Sequence, residues 1–310
     1  MRTRRPAALL SLAVALALTA ACAADPAPRD EAVATALDDD AVTVASFDFP
    51  ESELLGEVYG QALAAAGYDV RFELGLGPRE FVQPALAGGL VELVPEYAGT
   101  ALQFLSLGET TPTDDLAATR QALDRALGSR HLVALASSAA QDANAIVVTR
   151  TTAQRYALSD ISDLASIDDR LTFGGPPGCT ERPFCLAGLE STYGLEFAGF
   201  LPLDVGGPLT HQALSEGLVD VALLFTTDPR ITQDRLVVLS DDLGLQPAEN
   251  VVPVVREEVV DRWGDDFVAA VDAVSARLDS DVLQALNGEV LAGREAADVA
   301  ADWLASEGRG

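Results

Sequence analysis

The chain has 310 residues, of which 48 are acidic and 20 are basic, so its formal net charge at pH 7 is −28. A surface this acidic repels nucleic acid and anionic lipid headgroups, which excludes DNA, RNA and peripheral membrane docking. All 20 basic residues are arginine, which also excludes chemistry that needs a lysine, such as a Schiff base or a P-loop.

The N-terminal segment predicts export. Residues 1–21 contain three arginines followed by an apolar run that ends in small residues, an order typical of a signal peptide and too short for a membrane span. Cys22 directly after LTAA indicates a lipidated first residue, and residues 22–41, rich in Ala, Pro and Asp, predict a tether. We expect a lipoprotein on the extracytoplasmic face of the cell membrane, attached only through this anchor. With an ordinary signal and an incidental cysteine, the protein would still be exported.

From residue 42 onward, β-branched segments alternate with segments of helical periodicity. VTVAS (42–46), DVRFEL (69–74) and LVELV (90–94) predict strands, with helices between them. This βαβαβ order predicts a mainly parallel sheet with helices on its faces.

A second series begins near Asn144. Its predicted strands are 145–149, 171–175, 219–225 and 235–240, with a helix through Tyr193 among those between them. VVPVV (251–255) predicts a strand that returns to the first sheet, and the pattern is helical from there to the C-terminus. We therefore expect two α/β lobes with a cleft between them. Lobe 1 is predicted at 42–142 plus 251–310, and lobe 2 at 143–250.

Aromatic residues stand where predicted strands end. Tyr97 follows one strand, Phe47 and Phe49 follow another, and Phe225 ends a third. Ligands of such sheets bind beyond the carboxyl ends of the strands, so all four residues are expected at the cleft edge, with ligand contact favoured for Tyr97 and Phe225 and left open for Phe47. Packing within a single lobe is the alternative for each of them.

Seven segments resemble one protein family in sequence, order and separation. They are FDFPESELLGEVYGQALAAAGYDV, LGPREFVQPALAGGLVELVPEYAGT, FGGPPGCTERPF, YGLEF, LTHQAL, VDVALLFTTDPRI and AENVVPVVR. From residue 42 to the C-terminus the chain is similar to the osmoprotectant-binding proteins of ABC importers, which present glycine betaine, choline, carnitine and similar solutes to a permease. The resemblance implies a two-lobed periplasmic-binding-protein fold of type II. It also implies a monomer without cofactor or enzyme activity that works with a permease and its ATPase.

The resemblance also implies the ligand contacts. A quaternary ammonium group has a diffuse charge and no hydrogen to donate, so aromatic faces can surround it, while an arginine can clamp the carboxylate of a betaine. The implied cage residues are Phe47, Tyr97, His211 and Phe225, with Thr100 as a polar contact, Arg182 as the clamp, and Asn144 where a further aromatic is expected.

Several of these residues depart from the family pattern. Phe47 stands where the family often has lysine, and both His211 and Phe225 replace tyrosines. A protonated His211 would repel a cation, which predicts pH-sensitive binding. A larger or more polar zwitterion, such as ergothioneine or an amino-acid derivative, is therefore an alternative ligand. For Asn144 and Arg182 the alternatives are a strand-terminal role and an ion pair with a nearby carboxylate.

Cys179 and Cys185 enclose TERPF, and in an exported protein this spacing favours a disulfide that fixes the loop around Arg182. A zinc site would need further ligands, and the only histidines are His131 and His211.

Two other functional classes are alternatives, an enzyme and a solute sensor. The chain has no GxSxG, HExxH or GxxxxGK[ST] motif. A glycosidase-like carboxylate pair could be drawn from Asp48, Glu51 and Glu96, but solvated or helix-capping acids are the stronger expectation in so acidic a chain. A solute sensor without a transporter is the other alternative.

Overall fold

The computed structural model of the protein describes residues 40–307. The predicted signal peptide, the lipidation site Cys22 and almost all of the predicted tether lie outside these residues. Strand β1 begins at Ala41, one residue before the predicted first lobe, and Asp40 already forms an ion pair with Arg262. Within the described part, no helix is both long and apolar enough to cross a membrane.

The first of two five-stranded sheets takes strands from both ends of the described chain. Its strands are β1 (Ala41–Ala45), β2 (Asp69–Glu73), β3 (Leu93–Tyr97), β4 (Leu132–Ala134) and β10 (Val251–Arg256), in the order β2-β1-β3-β10-β4. Only β10 runs antiparallel to its neighbours. All five residues of β3 and the first five of β10 are buried, as expected for strands covered on both faces.

The second sheet repeats this plan with the middle of the chain. Its strands are β5 (Asn144–Val148), β6 (Thr172–Gly175), β7 (Gly199–Pro202), β8 (Val221–Phe225) and β9 (Val237–Val238), in the order β7-β6-β8-β5-β9. Here β5 is the strand that runs antiparallel to its neighbours. Each sheet therefore has one reversed strand among parallel ones.

Helices connect the strands and form the C-terminal part of the described chain. They are α1 (Pro50–Ala65), α2 (Arg79–Ala87), α3 (Ala98–Leu105), α4 (Leu116–Gly128), α5 (Arg150–Tyr156), α6 (Leu186–Gly188), α7 (Pro208–Ser215), α8 (Pro229–Gln233), α9 (Glu257–Ser275), α10 (Ser280–Leu291) and α11 (Ala296–Glu307). Helix α1 begins with Pro50, which suits a first helical position, and its apolar side packs on the first sheet, on α9 and on α11.

The reversed strands are those that receive the chain when it crosses between sheets. The chain leaves β4 through residues 135–143 and enters β5, and it leaves β9 through residues 239–250 and enters β10. Each reversed strand consequently starts where an antiparallel neighbour ends: Asn144 pairs with Phe225, and Val251 pairs with Tyr97. The two crossing segments also contact each other, since the Asp142 N–H donates to the Glu249 carbonyl at 3.0 Å.

Some predicted boundaries are wrong. Strand β3 starts at Leu93, three residues later than the start of the predicted 90–94 segment. Leu90 is 65% exposed in the turn after α2, whereas residues 93–97 pair with β10. Tyr97 therefore ends its strand rather than following it. The helix predicted through Tyr193 is broken into a 3₁₀ turn (Pro177–Thr180), the short α6 and a π-turn (Leu189–Tyr193). The prolines that precede α6 cannot donate helical hydrogen bonds.

The alternation of short strands and helices is otherwise observed. Strands β4 and β7 were not predicted, and 235–240 contributes only the two residues of β9. All three are short strands at sheet edges. Such a strand is defined by its pairing with one neighbour and needs no marked apolar pattern in the sequence.

A buried hydroxyl pair ties α1 to α9. Tyr59 is fully buried, and its hydroxyl lies 3.0 Å from the Ser275 hydroxyl at the end of α9. Because both groups are removed from water, each needs the other as a partner.

We expect Tyr59→Phe and Ser275→Ala each to lower the free energy of unfolding by about 1 kcal/mol, since each leaves one buried hydroxyl unsatisfied. The double variant should lose clearly less than the sum of the single variants, because it removes both partners. Urea unfolding of all four proteins measures this coupling. Additive losses would show that the two hydroxyls do not depend on each other.

Candidate ligand-binding site

Four aromatic rings from the two sheets meet where the chain crosses between them. Phe49 lies at the centre, with its ring centroid 6.2 Å from that of Phe47, 6.0 Å from Tyr97 and 5.8 Å from Phe225. Phe47, Phe49 and Tyr97 come from the first sheet and the loop after β1, and Phe225 ends β8 in the second sheet. We call these four residues the aromatic cluster. Three are predicted cage residues, and Phe49 is the residue that brings them together.

Phe47 also contacts Arg79, whose guanidinium carbon lies 5.0 Å from the ring centroid. Arg79 is directed by other partners: it donates to both carboxylate oxygens of Glu96 at 2.9–3.2 Å and to Thr100 Oγ1 at 3.0 Å. Burial alone would lower the pKa of Arg79, but the charges of Glu96 and Glu249 raise it. Arg79 is thus a permanent cation, and its Nε and Nη2 donors are used within the protein.

Glu51, in the first turn of α1, holds a buried carboxylate beside the aromatic cluster. Its Oε1 accepts a hydrogen bond from the Tyr97 hydroxyl at 2.8 Å. Its Oε2 accepts from Asn287 Nδ2 on α10 at 2.6 Å and is within hydrogen-bond distance of Thr227 Oγ1, just after β8. The N-terminus of α1 also favours a negative charge here. Uncharged donors from segments that belong to both sheets therefore stabilise one carboxylate by hydrogen bonds.

Asp142, in the first crossing segment, shares the same hydroxyl. Thr227 Oγ1 lies 2.7 Å from Asp142 Oδ1 as well as against Glu51. A hydroxyl has one hydrogen and cannot donate to two carboxylates at once, so one of the two carboxyl groups carries a proton. Burial, followed by the charge of Glu51, raises the pKa of Asp142 well above its ordinary value. Burial therefore favours the protonated form of Asp142.

Tyr97 keeps its own proton in this environment. Burial first, and then the neighbouring Glu51 and Asp142, raise the pKa of its hydroxyl well above the ordinary value. The hydroxyl therefore remains a donor to Glu51, and this bond fixes the ring of Tyr97 within the aromatic cluster.

Glu249, in the second crossing segment, accepts hydrogen bonds at the N-terminus of α3. Its carboxylate accepts from the backbone N–H groups of Gly99 and Thr100 at 3.0 Å and from Thr100 Oγ1 at 3.4 Å. The free N–H groups of a helix N-terminus are a natural anion site. Burial nevertheless raises the pKa of Glu249 to about 8, although the donors and Arg79 act in the opposite direction.

Gly99 makes this arrangement possible. A Cβ at this position would lie 2.5 Å from Cγ of Pro247 and 3.0 Å from the Ala248 carbonyl. Only glycine lets the second crossing segment approach α3 closely enough for Glu249 to reach the helix N-terminus.

The remaining predicted contacts lie around these groups. Asn144, beside Phe225 in the register of β5 and β8, donates to the carbonyl of Phe184 and to Gln246. His211 on α7 places its Nε2 2.6 Å from Oδ2 of Asp234. The roles of both side chains in ligand binding stay predictions.

Arg182 lies at the rim, with its guanidinium 3.6 Å from Glu80 and about half of its side chain exposed. This is the ion-pair alternative considered from the sequence, and the predicted carboxylate clamp stays a prediction. The structure joins Cys179 and Cys185 in a disulfide, which encloses the loop that carries Arg182. In residues 40–307, no group of His, Cys, Asp or Glu side chains is arranged to hold a metal ion.

The expectation of solvated or capping acids is wrong for two carboxylates. Glu51 is 6% exposed and Glu96 is fully buried, whereas Asp48 is exposed as expected. Glu51 is stabilised by donors from distant segments of the chain, and Glu96 by Arg79 and Gln83 of the preceding helix α2.

Sequence reasoning missed four residues of this site: Phe49, Glu51, Asp142 and Glu249. Phe49 had been placed at the cleft edge without a role. Asp142 and Glu249 stand next to predicted strand starts, and that proximity is the only signal in the sequence that could have pointed to them.

Residues 40–306 match the protein family OpuAC, described as the substrate binding domain of ABC-type glycine betaine transport systems. The chain belongs to this family. It is a solute-binding protein with the two-lobed type II periplasmic-binding fold, as the sequence predicted, and the family is not one of enzymes.

Similar proteins agree with this assignment. The chain is 29% identical over 268 residues to the glycine-betaine-binding protein of Pseudomonas aeruginosa, covering 83% of this chain and 84% of that protein. It is 25% identical over 281 residues to the ergothioneine transport permease/ergothioneine binding protein EgtU of Helicobacter pylori, covering 90% of this chain and 49% of that longer protein. A crystal structure of a glycine betaine/carnitine/choline ABC transporter protein has the same fold, with a TM-score of 0.70 at 24% identity over 86% of this chain and 98% of that one.

We expect stability to depend on pH through Glu249. Its pKa rises from 4.5 to about 8 on folding, so the folded state holds this proton more tightly than the unfolded chain. The resulting stabilisation is complete below about pH 4.5 and is lost toward pH 8, by roughly 1.4 kcal/mol per pH unit. Glu249→Gln, which resembles the protonated form, should match the wild type near pH 5 and exceed it at pH 8.

Urea unfolding from pH 5 to pH 8.5 measures this difference, with the exposed Glu109→Gln as a control for removal of one charge. An equal pH slope for Glu249→Gln and the wild type would contradict a raised pKa at Glu249.

Proposed function

We propose that the protein is the extracytoplasmic solute-binding component of an ABC importer and that it holds a quaternary ammonium solute at the aromatic cluster. The observation that carries this proposal is the meeting of Phe49 and Tyr97 with Phe225, because it unites aromatic faces from both sheets. A quaternary ammonium head attracts such faces even after it has lost its water. The chemistry of glycine betaine, carnitine and choline, which occur in the names of relatives and neighbours, fits this surface.

A ligand at this place would contact both lobes, which we assign to 42–142 plus 251–310 and to 143–250. It would therefore bind the closed arrangement more tightly than an open one and shift the equilibrium between them. A permease that recognises only the closed surface could then distinguish loaded from empty protein. No bond is made or broken in this cycle, and the ATPase of the importer supplies the energy.

The site also includes the polar groups around the cluster. We propose that Glu51 fixes Tyr97 through its hydrogen bond and that Thr100 and Asn144 orient the aromatic faces from the two sides. His211 and Arg182 lie farther out, on Asp234 and Glu80 respectively. Each would have to exchange that partner in order to contact a solute directly.

A thermal-shift screen tests the proposal. Glycine betaine, choline, carnitine, ergothioneine, free amino acids and sugars are added to the purified protein. A ligand at 100 times its dissociation constant should contribute about 2.7 kcal/mol of stability. We expect a quaternary ammonium compound to raise the melting temperature.

Phe225→Ala should weaken binding of that compound by about tenfold or more, since it removes one aromatic face. Phe200→Ala removes a half-buried phenylalanine that packs on Phe173 in the same sheet and should leave the ligand shift intact. A shift with amino acids or sugars alone would refute the quaternary ammonium assignment. A shift with ergothioneine alone would favour the alternative ligand suggested by the Helicobacter pylori relative.

We further propose that the mature protein begins at a lipidated Cys22, works as a monomer and stays at the cell surface through this anchor. Cys22→Ala should release the protein from the membrane fraction into the extracytoplasmic soluble fraction, because a single anchor provides the attachment. Fractionation followed by immunoblotting measures the distribution. Retention of the variant in the membrane fraction, with normal processing, would exclude this anchor.

A further inference from the structure

The groups around the aromatic cluster carry more negative than positive charge. Glu51, Asp142, Glu96 and Glu249 are buried carboxyl groups, and Arg79 is the buried cation that faces them. Arg79 is paired with Glu96 and also donates a hydrogen bond from Nη2 to Thr100 Oγ1. Within the described residues of this region, its positive charge is already matched.

The position at which a solute carboxylate would bind is filled by the protein itself. The N-terminus of α3 directly follows Tyr97 and offers two N–H groups and the Thr100 hydroxyl, a set of donors that suits a carboxylate. In this chain, Glu249 accepts hydrogen bonds from all three. A betaine bound at Tyr97 would have to displace a buried side chain in order to use them.

The other candidate for carboxylate recognition is engaged as well. Arg182 lies 3.6 Å from Glu80, which belongs to α2 on the opposite side of the cleft. This pair links elements of the two lobes, so freeing Arg182 would remove a contact that favours closure.

We propose that this chain selects a quaternary ammonium cation that carries no carboxylate, and that Glu249 sets this preference by occupying the anion-binding position of α3. The inference rests on the proposed function and narrows its substrate class. A cation gains from the surplus of carboxyl groups beside the aromatic faces. A zwitterion of similar size would place its carboxylate against Glu249, which already accepts the α3 donors and repels a second carboxylate once it is ionised.

Proton release should accompany binding. The groups facing Glu249 are Arg79 from α2 and Glu96 from β3, while Glu51 from α1 and Tyr97 from β3 face Asp142. A bound cation favours the ionised forms of Glu249 and Asp142, so affinity for the cation should rise with pH up to the region of about pH 8 where free Glu249 loses its proton. The increase is at most about tenfold per pH unit for each proton released.

Calorimetric titration with choline and glycine betaine distinguishes a preference for a carboxylate-free cation from a preference for a zwitterion. The two probes share a trimethylammonium head, and only glycine betaine has a carboxylate. We expect wild-type protein at pH 7.5 to bind choline at least about tenfold more tightly than glycine betaine. Glu249→Ala should free the N–H groups of α3 and shift the affinity ratio toward glycine betaine by about tenfold or more. Glu109→Ala, an equal change at an exposed position, should leave the ratio unchanged.

Glu249→Gln is a second variant, which tests the inference even if Glu249→Ala does not fold. The amide oxygen of Gln can still accept hydrogen bonds from the N–H groups of Gly99 and Thr100, so this variant should keep the preference against glycine betaine. Because the amide does not titrate, the increase of choline affinity between pH 6.5 and pH 8.5 should be smaller than in the wild type. Tighter binding of glycine betaine by the wild type, or an unchanged ratio in folded Glu249→Ala, would overturn the inference while the proposed function stands. Binding of neither probe would overturn the inference, and the proposed function as well if carnitine also fails to bind.

Discussion

The site is organised around the buried carboxylate of Glu51. A carboxylate out of water is stable only if hydrogen-bond donors surround it. Its donors are Tyr97 at the end of β3, Thr227 after β8 and Asn287 on α10. These residues belong to segments far apart in sequence, and they converge only when the elements of both sheets are in contact. The same bond that satisfies Glu51 also fixes the ring of Tyr97, so the polar and aromatic halves of the site form together.

The chain reversal in each sheet explains why acidic residues reach this place. Because β5 and β10 start at the edge where β8 and β3 end, the crossing segments bring Asp142 and Glu249 next to aromatic residues. Burial then raises the pKa of both carboxyl groups. The crossing segments are therefore more than connections, because they place two carboxyl groups with raised pKa values beside the aromatic cluster.

Parts of this arrangement could be predicted because they depend on local patterns. The strands β1, β5 and β8 and the helix α1 are defined by apolar periodicity and turn residues, and they lie close to the predicted segments. Phe47, Tyr97 and Phe225 could be placed at a common edge because strand ends in such sheets face the cleft. The central position of Phe49 could not, since it depends on which way the loop after β1 folds over Tyr97.

The sequence by itself determined the fold class, the family and three of the four residues of the aromatic cluster, because hydrophobic periodicity and short motifs are local properties. It also predicts the export signal. Only the tertiary structure decided which acids are buried. In a chain with 48 acidic residues, no local feature separates Glu51, Asp142 and Glu249 from solvated carboxylates. Their burial follows from donors supplied by remote segments and from the close approach of the second crossing segment to Gly99, and these are properties of the packed chain.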